Sequence, residues 1–165
     1  MAVTIRGSGQ LITQIQSVTV TSSFTTTSVS FTDITGLSVT ITPTNSANKI
    51  LVIWNTCGAS ASGAASTGAY LNLLRGSTQI YIGDAIGSAI RNTGSLTTRL
   101  GADQNYINAG GAFLDSPATT SPTTYKLQIL SANGNTVYVN RSEVTSYSFS
   151  GSSPSTITVM EIAYA

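Results

Sequence analysis

The chain has 165 residues, enough for one domain with a proper core, and its 7 basic and 6 acidic side chains leave a net charge of +1. Charged residues make up 8% of it, against about 25% in an ordinary protein, so steering toward nucleic acid or an anionic membrane is not expected. A hydrophobic content of 41% is too high for disorder, no apolar run is long enough to span a membrane, and one cysteine excludes an internal disulfide framework.

Val3 and Ile5 open the chain, followed by Gly7-Ser8-Gly9. Glycine is costly inside a strand, so this triplet reads as a hinge. The expectation is an arm over residues 1–15 that docks on a neighbouring subunit or another surface, with Val3, Ile5, Leu11 and Ile12 as its apolar contacts. The segment lacks the apolar core of a signal peptide, which points to synthesis in a cytoplasm.

Serine and threonine then alternate with Val, Ile, Leu and Phe, as in Ser38-Val39-Thr40-Ile41-Thr42. β-branched residues at period two predict strands with one dry and one wet face, the wet face being built from hydroxyls. Strands are expected near Leu11–Val20, Phe24–Phe31, Leu37–Ile41, Ile50–Thr56, Tyr70–Leu74, Gln79–Ile82, Gly111–Leu114, Tyr125–Leu130, Val137–Asn140 and Ile157–Tyr164. The apolar run Ile50–Trp54 reads as a central strand buried on both faces, or with one face against another subunit. Cys57–Ala69 reads either as a mobile loop or as a segment where backbones approach closely. Arg75-Gly76-Ser77 predicts a hairpin, with Gly76 supplying a positive φ. Ala85–Gln104 reads as a long surface excursion. Asn133-Gly134, between two alternating segments, is a strong hairpin signal. No stretch has sustained helical periodicity. Short strands at regular spacing give an all-β fold: an antiparallel, jelly-roll-like β-sandwich forming a single domain over residues 16–165.

Little in the chain is equipped for chemistry. With no histidine and one cysteine, Cys57, there is no imidazole acid–base pair, no His-ligated zinc and no thiolate-rich metal site. Asp33, Asp84, Asp103, Asp115, Glu143 and Glu161 are scattered, and several sit where turns are expected. Asp103-Gln104-Asn105 looks like the start of a calcium loop without its remaining ligands. Asn140-Arg141-Ser142 is a chance glycosylation sequon. The tyrosines are candidates for sugar stacking, but packing at a sheet margin is the commoner role. Asp103, Asn105, Tyr106, Asn133 and Asn135 are the candidate exposed loop residues. The reading is of a structural or adhesive module, not an enzyme, with no cofactor and no bound metal.

Five segments carry a resemblance to a known family. They are Thr35–Pro43, Asn48–Val52, Leu73–Ala85, then Phe113–Ala118 together with Thr124–Gln128, and finally Ser155–Ile162. In this order they resemble β-rich virion domains of tailed bacteriophages, frequent in phages of cyanobacteria and other aquatic hosts, and the resemblance runs from residue 16 to 162. The family domain often forms the distal head of a tail fibre. The resemblance implies a sandwich that trimerises, a place in the virion and no catalytic residues. About 15 residues precede the sandwich, an arm of at most about 50 Å and too short for a fibre shaft. That shifts the expectation toward a capsid decoration, or cement, protein whose partners are its own copies and the major capsid protein. A tail-associated head that touches host-surface glycans is the alternative.

Overall fold

Alternation becomes a strand wherever one side of the chain can be kept dry. The computed structural model describes residues 11–60, 68–97, 106–148 and 150–163, and within them the chain forms eleven strands and no helix. They are β1 (Ile12–Val20), β2 (Phe24–Thr26), β3 (Thr32–Ile41), β4 (Lys49–Ser60), β5 (Ala69–Arg75), β6 (Thr78–Ile80), β7 (Gly94–Ser95), β8 (Ile107–Asp115), β9 (Thr123–Ser131), β10 (Val137–Val139) and β11 (Ser155–Ile162).

The strands divide between two antiparallel sheets. In the first, Val52 of β4 stands opposite both Val159 of β11 and Phe113 of β8, so those strands flank β4 on its two edges. Further along, Gly58 stands opposite both Val139 and Ile107, which places β10 on the same edge as β11. Strand β1 pairs with β11, and β2 with β10. The second sheet runs β3-β9-β5, and β6 and β7 share the far edge of β5. Taken as eight principal strands, the first sheet has the order first–eighth–third–sixth and the second the order second–seventh–fourth–fifth. That is the double Greek key of a jelly roll.

Between the sheets lies one apolar core, with Ile50, Val52, Trp54, Ile157 and Val159 from the first and Leu37, Ile41, Leu71, Leu73, Tyr125, Leu127 and Ile129 from the second. The strands contribute chiefly every second residue, as half-buried strands do, although β5 also buries Asn72 and Leu74 between its core residues. In β11 this gives Ser155, Ile157, Val159 and Glu161 inside and the residues between them half-buried.

Four expectations are corrected. The run Ile50–Trp54 is not buried on both faces: Ile50, Val52 and Trp54 point into the core, while Ile53 is exposed and Leu51 half-exposed. Only the first three residues of Phe24–Phe31 are a strand. Beyond them Ser28 N donates to Thr26 Oγ1, and the Ser28 hydroxyl donates to Ser30 O and accepts from Ser30 N. Hydroxyls that bond nearby backbone offer the chain an alternative to the sheet ladder. The Asn133-Gly134 turn is not a hairpin, because β9 and β10 lie in different sheets. Gly134 does take the positive φ, at +78°, but Ser131 N bonds Ser28 O and Ala132 N bonds Gly68 O, and the chain crosses from one sheet to the other. The first sheet, finally, starts earlier than the arm boundary allowed, since Ile12 to Ile15 already belong to β1.

The Cys57–Ala69 stretch is a close approach of backbones where it is described. Cys57–Ser60 continues β4, and a Cβ on Gly58 would run into the carbonyl oxygen of Tyr138 on β10. Residues 61–67 lie outside the described residues. The surface excursion holds a short strand that the sequence did not announce, β7, whose neighbour Leu96 is fully buried in the core. Gly76 turns the β5–β6 hairpin at φ +59°, as expected.

Candidate interaction surface

Three of the six acids that could have formed a catalytic or metal site are engaged in holding the fold. Glu161, with no exposed surface, accepts from Thr44 N at 2.7 Å, Thr44 Oγ1 at 2.9 Å, Asn48 Nδ2 at 2.7 Å and Gln14 Nε2 at 2.7 Å. Burial pushes its pKa up, but hydrogen bonds from Asn48, Gln14, Thr13 and Thr44 outweigh that and hold it at about 2. The carboxylate ties the β3–β4 turn to β1 and β11. Asp115, also buried, accepts from Arg75 Nη1 at 2.8 and 2.9 Å and from the Tyr125 hydroxyl at 2.7 Å. Burial first, then the hydrogen bond and charge of Asp115, raises the Tyr125 pKa well above the usual tyrosine range. Asp33 accepts from Lys126 Nζ and Gln128 Nε2 on the outside of the second sheet, and the Lys126 hydrogen bond is the chief reason its pKa is lowered. Among the described residues no cluster of three metal-ligating side chains forms, and no helix is long and apolar enough to cross a membrane.

The sequon has a structural role. Asn140 is buried at φ +64°, its Nδ2 donates to Val20 O and Ser22 O, and its Oδ1 accepts from the Ser155 hydroxyl. Its side-chain amide is consumed by the fold.

The outer faces of the two sheets differ. On the second sheet the solvent-facing outward residues of β3 and β9 are polar and bonded across strands, Thr40 to Thr124 and Asp33 to Lys126 and Gln128, and the one apolar outward residue of β9, Leu130, is buried. On the first sheet, Ile15 of β1 stands opposite Met160 of β11, Met160 opposite Leu51 of β4, and Leu51 opposite Leu114 of β8. All four point away from the core and form one apolar row across four strands. The next row is Ser17, Thr158, Ile53 and Ala112, with a hydroxyl bridge of 2.7 Å between Ser17 and Thr158. On the other side of the apolar row, Ile12 and Ile162 face each other beside Lys49. A register shift between Ile12 and Gln14 turns Ile12 to the same side as Ile15. Ile15 is 52% exposed, Leu114 42%, Ile53 40% and Ile12 39%.

The sequence-predicted residues divide accordingly. Leu11 and Ile12 lie exposed at the corner of this apolar face. Val3, Ile5, Asp103 and Asn105 lie outside the described residues. Tyr106 is not an exposed loop residue: it is half-buried just before β8, its ring lies against Gly151, and burial raises its pKa. Asn133 is exposed at the crossover turn and Asn135 half-buried. Of the tyrosines, Tyr125 is in the core, Tyr138 lies beneath the Arg141 guanidinium, and Tyr81 stacks on Phe113 with 44% of its surface exposed. The run Ile50–Trp54 offered one face toward another subunit, and Leu51 and Ile53 are its outward residues; Ala112, Leu114 and Met160 were not recognised as part of a surface. One signal was present: a strand with one wet face should not carry Leu51 and Ile53 between Ile50, Val52 and Trp54.

No protein-family model matches the chain, and no curated protein matches it.

Proposed function

We propose that this chain is a structural protein of a tailed-bacteriophage virion, and that within the virion it decorates the capsid, binding the major capsid protein as a homotrimer and stabilising the assembled shell. The observation that supports this reading best is the apolar outer face of the first sheet on a charge-poor sandwich whose buried carboxylates serve the fold. Such a face is tolerable on a protein that spends its life covered. The resemblance of residues 16–162 to virion domains supplies the setting. A cement protein binds the assembled shell in preference to its dissociated parts and so raises the temperature at which the shell fails. Residues 1–10, with Val3 and Ile5, are the docking arm in this reading. Burial of each apolar side chain contributes about 1.5–3 kcal/mol before ordering costs, and three arms acting together multiply the effect.

The test is add-back of purified protein to particles that lack it. Saturable binding and a higher temperature of shell failure are expected. Deletion of residues 2–10 should leave the sandwich folded and abolish the binding. Undiminished binding of the truncated protein would remove the arm from the account, and no binding of the full chain would contradict capsid decoration. In the tail-associated alternative, Tyr81 and Tyr147 are the exposed rings among the described residues that could stack on a sugar.

A further inference from the structure

We infer that the outer face of the first sheet is a self-association surface, on which the occupant is a second copy of this chain. The surface is centred on Ile15, Met160, Leu51 and Leu114, with Ile12, Ile53 and Ala112 around them.

The area suffices. Four strands at ~4.8 Å spacing and nine residues at ~3.3 Å per residue give the whole outer face, the three rows together with the bordering polar row of Thr19, Thr156 and Asn55, as roughly 19 by 30 Å, about 570 Å² per copy. Two such faces in contact cover about 1,100 Å², above the ~1,000 Å² that a specific interface needs. The charge pattern selects the partner. In the three rows described above, the one charged side chain among the described residues is Lys49, at the margin and bonded to Ser116 Oγ at 2.8 Å. A face without charge does not repel its own copy, and it offers no complement to a strongly acidic or basic partner. The second sheet's outer face, with Asp33 and Lys126 on it, has no comparable apolar row. The remaining exposed apolar residues do not compete. Val29 and Ile86, more exposed than any residue of the patch, stand on separate loops and belong to none of its rows. Closure about a twofold axis would pair the face with itself, and the threefold closure of the proposed trimer would set it against a different surface of the neighbouring copy. This inference deepens the virion reading, which needs only that the face be covered, by naming what covers it; its test reads the mass of the free protein, whereas that reading is tested by binding to particles.

The experiment is light scattering of the purified full chain at high micromolar concentration, with Ile53→Lys and Leu114→Lys as the test variants. The wild type should have a mass of two or more chains, and each variant should fall toward the 17.0 kDa of one chain. Circular dichroism and melting should show both variants folded, since both side chains point to solvent. Val29→Lys and Ile86→Lys should leave the assembly intact. If a lysine variant fails to fold, Ile53→Thr with Leu114→Thr replaces it, because threonine keeps strand propensity while removing the apolar surface. A monomeric wild type overturns the inference, and so does an assembly that survives substitution at both positions.

Discussion

Replacement of Glu161 by glutamine is expected to lower the melting temperature by about 6–12 °C, the equivalent of about 3 kcal/mol for a domain of this size. The carboxylate accepts hydrogen bonds from Gln14, Thr44 and Asn48, with Thr13 adding to them, and among the described residues it forms no ion pair. Glutamine keeps the shape but turns one oxygen into a donor that faces other donors, and a buried donor without an acceptor costs about 1–3 kcal/mol. The same residue sets an acid dependence. Its pKa in the fold, about 2, lies below the ordinary 4.5, so the unfolded chain takes up the proton more readily than the folded one. Its contribution, about 3 kcal/mol, is therefore complete above pH 4.5 and is lost as the pH falls through 2. Melting curves from pH 6 to pH 2 should show the wild type losing stability across that window and Glu161→Gln losing much less. Asp33 titrates in the same direction, but it is exposed and contributes little. A wild type with a flat profile, or a Gln variant with the full acid dependence, would contradict the assignment.

Asp115→Ala should cost about 2–4 kcal/mol, because it leaves the Tyr125 hydroxyl buried without an acceptor and Arg75 without its anion. Part of the arginine side chain reaches solvent, which keeps the cost below that of a fully buried pair. Tyr125→Phe removes the hydroxyl and its bond together and should cost about 1 kcal/mol. The double variant should therefore be more stable than the sum of the single losses predicts, since the orphaned hydroxyl is gone. Additive denaturation midpoints would show that Asp115 and Tyr125 are not coupled.

The sequence was most informative where burial follows a period of two. Tyr125, Leu127 and Ile129 point inward as their alternation with Lys126 and Gln128 required, and Gly76 marks its hairpin. It was least informative where partners are distant in the chain. Asn133-Gly134 specifies a tight turn, but whether that turn closes a hairpin or carries the chain to the other sheet depends on Ser28 and Gly68, more than sixty residues away in one case and a hundred in the other. Ser28–Ser30 has strand-like alternation with Val29, yet local hydroxyl bonds win there. The apolar face was illegible for a related reason. Ile15, Met160, Leu51 and Leu114 become neighbours only through three strand registers, and none of those registers is encoded locally. The acids were ambiguous from sequence because a carboxylate that accepts four internal hydrogen bonds and one that waits for a substrate look the same until their partners are placed.

The copy number of this protein in purified virions tests the proposed function most directly. Quantitative mass spectrometry of washed particles, referenced to the major capsid protein, should give hundreds of copies per particle if the protein decorates the shell. A count of a few to a few dozen would contradict decoration and move the protein to the tail, and its absence from the particles would contradict the virion assignment itself.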